Sequence, residues 1–79
     1  MKNFETYDVW LSAYLQLSYR PPQLHLKNQK VVFVFQQSGM LYKLLTDFYS
    51  NIDVPISDYI STVKTLRGQM LGMRNNAGG

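Results

Sequence analysis

The apolar positions of this chain change period along its length, and each change marks an element. From Tyr7 to Ser18 the pattern is helical. Asp8, Ser12 and Gln16 recur every four residues as a narrow polar strip, while Tyr7, Val9, Trp10, Leu11, Ala13, Tyr14, Leu15 and Leu17 fill the remaining circumference. A helix so widely apolar has to be covered on more than one side. Thr6 is placed to cap it, with Asp8 favourable beside the positive helix end. Pro21-Pro22 then stops the helix and sends the chain into extended structure.

The next stretch, Leu24 to Gln36, reads L-H-L-K-N-Q-K-V-V-F-V-F-Q and predicts one β-hairpin. A turn at Asn28-Gln29 sets Lys27 opposite Lys30, Leu26 opposite Val31, His25 opposite Val32 and Leu24 opposite Phe33. Alternation assigns Leu24, Leu26, Val31, Phe33 and Phe35 to a core face, and His25, Lys27, Lys30, Val32 and Val34 to an outer one. Asn-Gln is weaker turn chemistry than Asn-Gly, which leaves the turn type open.

Helical periodicity returns from Met40 to Tyr49. Ser38 reads as the N-cap, Lys43, Thr46, Asp47 and Ser50 as the polar side, and Leu41, Leu44, Leu45, Phe48 and Tyr49 as the apolar side. Asn51 stops this helix. Pro55 then sits in the first turn of a last helix, with Ser57 the alternative cap. Its apolar stripe is Ile56, Tyr59, Ile60, Val63, Leu66 and Met70; Gly68 and Gly72 weaken its end. The expected fold is α+β in the order α-β-β-α-α, a two-stranded antiparallel hairpin packed on one face by two or three helices. Residues 1–74 form one domain, and Asn75 to Gly79 a disordered tail.

Composition changes this picture in a few places. At 79 residues the chain buries only a little over half of its unfolded surface, so its own core is small. It is 46% hydrophobic and 16% charged, which favours folding over disorder. The net charge of +3 invites a nucleic-acid reading, but the basic residues are scattered singly along the sequence. No segment reads as a membrane span or a signal peptide, which points to a cytoplasmic protein.

Candidate chemistry is sparse. The chain has one histidine and no cysteine, far from the four ligands of a structural zinc site. The serines have no base pointed at them, the acids sit at helix starts, polar faces or a loop, and no glycine-rich phosphate loop precedes a helix. The sequence therefore predicts no catalytic residue, no cofactor, no metal and no small-molecule substrate. The tyrosines flank apolar helix stripes, where packing explains them better than base stacking does.

Together the helix around T-Y-D-V-W-L-S-A-Y-L, the strand K-V-V-F-V-F, the segment D-F-Y-S-N-I-D-V-P and the helix S-D-Y-I-S-T-V-K-T-L resemble a family of small uncharacterised bacterial and phage domains. The likeness runs from Phe4 to Met73 and departs from the family pattern at Pro21-Pro22, where a helix-ending glycine is expected. It implies a bacterial or phage origin and carries no activity with it.

What remains is surplus apolar surface: the broad first helix, the outward Val32 and Val34, and two hairpin edges that invite pairing. The expected role is a non-enzymatic protein-interaction module that forms a homodimer or binds another protein, through Trp10, Tyr14, His25, Val32 and Val34. The alternative is a small basic nucleic-acid-binding protein that uses Lys27, Lys30, Lys64, Arg67 and Arg74.

Overall fold

A computed structural model describes the backbone of residues 2–78 and the side chains of residues 2–75. The elements are β1 (Asn3–Thr6), α1 (Val9–Ser18), β2 (Gln23–Lys27), β3 (Lys30–Gln36), α2 (Gly39–Ser50) and α3 (Ile56–Gly78). Of the tail expected at Asn75 to Gly79, the backbone of 75–78 belongs to the last turn of α3, and Gly79 lies outside the described residues.

The hairpin forms in the expected register, from Lys27 opposite Lys30 to Leu24 opposite Phe33. Asn28 and Gln29 take φ of 53° and 69°, the two positive values that a mirror-image two-residue turn requires. The fold class is α+β as expected, but the sheet has three strands, not two. Asn3–Thr6 pairs antiparallel along the far side of β3, Phe4 opposite Phe35 and Glu5 opposite Val34, giving the order β1-β3-β2. The most aggregation-prone segment, V-V-F-V-F, is thus the central strand, and only β1 and β2 keep an open edge.

One sheet face carries Phe4, Leu24, Phe33 and Phe35 into the core, where they meet Leu11, Ala13, Tyr14 and Leu15 of α1, Leu41 and Leu44 of α2, and Val63 and Leu66 of α3. The opposite face holds no helix in this core and is mostly polar. Val32 belongs to that second face yet is only 1% exposed, which corrects the expectation that it lies open. The register explains its burial. Glu5, opposite Val34 on one side of β3, forms an ion pair with Lys27, opposite Lys30 on the other side. By register the bridge crosses the central strand diagonally at the level of Val32, which also has His25 directly opposite it on β2.

The first helix begins later than its apolar pattern. Asp8, not Thr6, is the N-cap and accepts from the amides of Trp10 and Leu11, while the Thr6 hydroxyl accepts from the amide of Asp8. Cover on several sides is real: Leu11 through Leu15 are all buried, Ser12 included. Its hydroxyl donates to the Asp8 carbonyl at 2.8 Å, so no polar group is stranded. Tyr19 and Arg20 then tie the end of α1 to Gln36 of β3, through the Tyr19 hydroxyl to the backbone carbonyl and the guanidinium to the side-chain oxygen.

Ser38 caps α2 by accepting from the amide of Leu41, and Asn51 ends it, both as expected. Pro55 stands one residue ahead of α3, its carbonyl accepting from the amide of Tyr59. With 23 residues α3 is about 34 Å long, close to the longest dimension of the molecule, 39 Å. It passes through Gly68 and Gly72 without ending. Among the described residues no helix is long and apolar enough to cross a membrane.

Candidate interaction surfaces

The five residues expected at a protein interface do not come together. Tyr14 is 7% exposed and Val32 1%, so neither offers a surface to a partner; Tyr14 packs its ring 5.7 Å from that of Phe48. His25 and the half-buried Val34 lie on the outer sheet face, whereas Trp10 belongs to the helix layer. Of the five, Trp10 alone is a large apolar side chain that is substantially open, at 45%.

Among the described residues, three surfaces are candidates. On the outer sheet face, Asn3, Arg20, Pro21, Gln23, Val34 and Gln36 line a hollow of about 340 Å³. Its cation, Arg20, is already held by Gln36 and lies over the Tyr19 ring. Where α2 gives way to the loop before α3, Tyr14, Asp47, Ser50, Asn51, Ile52 and Asp53 line a second hollow of about 250 Å³. It is open and holds two carboxylates.

The third surface is built on Trp10. Indole and phenol of Tyr59 lie with ring centroids 5.8 Å apart, and the Arg67 guanidinium stands 5.4 Å from the indole centroid on the same helix two turns later. The Tyr59 hydroxyl donates to the backbone carbonyl of Trp10 at 2.8 Å, pinning the start of α3 to that of α1. Burial, and secondarily the Asp8 carboxylate, push the Tyr59 phenol above its ordinary value, because both disfavour the phenolate.

Helical phase defines the rest of this surface. Tyr59, Val63, Leu66, Met70 and Met73 turn inward and are buried or half-buried. Beside them Ile56, Ile60, Lys64, Arg67, Leu71 and Arg74 fall within about 80° of arc at 3.6 residues per turn, and all six are exposed. Ile56 and Ile60, expected to pack as part of the core stripe, are 63% and 42% exposed instead. The arc holds no acid: Asp58 lies on the far side of the helix.

The candidate basic residues divide between the two layers. Lys27 and Lys30 flank the hairpin turn, and Lys27 is engaged by Glu5, whose hydrogen bond and charge push its ammonium above the ordinary value. Lys64, Arg67 and Arg74 share the α3 flank, so the basic residues are less dispersed than the linear sequence implies. Periodicity alone carries that signal.

In a comparison with protein families, residues 1–72 fit a family described as Domain of unknown function (DUF5659). The chain belongs to this family. No curated protein and no solved structure matches it. The DUF5659 match spans β1, the whole hairpin, Trp10 and the α3 flank as far as Leu71, leaving Arg74 beyond its end.

Proposed function

We propose that this DUF5659 domain is a non-enzymatic interaction module that docks another protein on its helix layer, around Trp10 and the neighbouring flank of α3. One observation carries this reading: the single tryptophan of the chain is nearly half exposed, yet held in place by Tyr59 and Arg67 beside exposed Ile56 and Ile60. A large aromatic fixed by its own neighbours presents apolar area at little entropic cost, the property of interface anchors. A photo-crosslinking amino acid at Ile60, expressed in the native host, should give a discrete protein adduct that is reproduced with the purified partner. One at Thr65, on the opposite side of α3, should give none. Adducts from Thr65 and none from Ile60 would refute the proposal.

A second reading, self-association, is favoured by the open edge of β2. In a two-residue hairpin Lys27, His25 and Gln23 exchange hydrogen bonds with β3. Leu24 and Leu26 therefore turn their amides and carbonyls to the edge. A two-fold axis at His25 would set Leu24 against Leu26 of a second copy, a self-complementary phase. Light scattering decides: a monomer at high micromolar concentration removes this reading and leaves the first untouched.

A further inference from the structure

We propose that the occupant of the α3 flank is an acidic amphipathic helix of another protein. This rests on the reading that the Trp10 side docks a protein, and it names the chemistry of the partner. The flank runs from Ile56 to Arg74, about 27 Å or five helical turns. Along it two isoleucines, Ile56 and Ile60, come first, two cations, Lys64 and Arg67, follow, then Leu71 and Arg74, and no acid interrupts the arc. Apolar anchors interleaved with charges of one sign suit a helix laid lengthwise, its apolar stripe on the isoleucines and its carboxylates on the cations.

The same arrangement argues against other occupants. A second copy related by a two-fold axis at the middle of this flank would bring Lys64 of each copy against Arg67 of the other. A lipid surface would have to take in Arg67, which lies in the middle of the arc above the indole rather than at its rim. Phosphates would pair the cations but leave Ile56, Ile60 and Leu71 without an apolar partner. An acidic helix satisfies both kinds of group at once.

Trp10 is the only tryptophan, so its emission reads the surface without a label. The probe is a synthetic peptide of about five turns with leucine at positions i, i+3, i+4 and i+7 and glutamate elsewhere. It should shift the Trp10 emission saturably. Arg67→Glu and, farther from the indole, Arg74→Glu should each weaken binding about tenfold. The double variant should in turn bind a peptide with lysine in place of glutamate, which the natural chain rejects. Binding of the glutamate peptide that ignores both reversals, or equal binding of the lysine peptide to the natural chain, would overturn the proposal. No peptide binding, while Ile60 still crosslinks to a protein, would overturn the acidic partner and leave the docking surface standing. An emission shift produced instead by an oligonucleotide, or by vesicles containing phosphatidylserine, would overturn both.

Discussion

Val32 tests how the outer sheet face is closed. Its two methyl groups are removed by Val32→Ala, and at about 0.8 kcal/mol per buried carbon the lost transfer free energy is about 1.6 kcal/mol. A void left unfilled adds to this, although a lid made of two long side chains can settle into part of it. The expected cost is therefore about 1.5–2.5 kcal/mol, against about 3–5 kcal/mol for Phe33→Ala in the helix-covered core. Urea unfolding followed by Trp10 fluorescence and far-ultraviolet circular dichroism measures both as a change in midpoint at constant slope. The lid has its own signature: in a Glu5→Gln background Val32→Ala should cost less, because Val32 is already partly wetted before truncation. A loss within about 0.5 kcal/mol, the range of ordinary surface substitutions, would mean that Val32 is solvated and the diagonal bridge does not cover it.

Three further outcomes follow from local chemistry. Gln29 holds φ of 69° without the backbone freedom of glycine, so Gln29→Gly should stabilise the hairpin by about 0.5–1 kcal/mol in the same urea assay. Tyr59→Phe should cost about 1 kcal/mol through the lost bond to the Trp10 carbonyl, and in an alkaline absorbance titration it should remove the late phenol. Because the raised value of Tyr59 favours the neutral phenol, the associated stability is present at neutral pH and fades as pH rises through the folded value, above 10.0. The Lys27 ammonium is also raised, by the Glu5 hydrogen bond first and its charge second, so its contribution holds below 10.5 and disappears at higher pH; Lys27→Met should abolish that part of the alkaline dependence.

The hairpin was legible because two signals agreed in it: the apolar–polar alternation of Leu24 to Lys27 facing the β-branched and aromatic run Val31 to Phe35, and a turn whose length sets the register. The second helix was legible because Ser38, its stripe and Asn51 each pointed to the same boundaries. β1 was not. Four residues with one apolar member, Phe4, carry no period that separates a strand from an irregular terminus, and its pairing with β3 spans some thirty positions of sequence. Burial of Val32 was hidden for the same reason, since Glu5 and Lys27 meet only after β1 has docked. In α3 the periodicity was right and its meaning was too coarse. A stripe that includes Ile56 and Ile60 is wider than the ridge that α1 and the sheet can cover, and the excess is the exposed flank.

That missed strand moves the functional argument from the sheet to the helices. A bare two-stranded hairpin has to find cover along both edges, and pairing with another copy would then be close to obligatory. With β1 in place, V-V-F-V-F is paired on both sides within its own chain, and an ion pair between the two edge strands crosses the outer face. Need for a partner at the sheet falls accordingly, while the helix layer keeps Trp10, Ile56 and Ile60 open. The helix sets Tyr59 and Arg67 against Trp10 at the boundary, with further cations beside it, an arrangement that folding stability alone does not require and that the proposed docking would use.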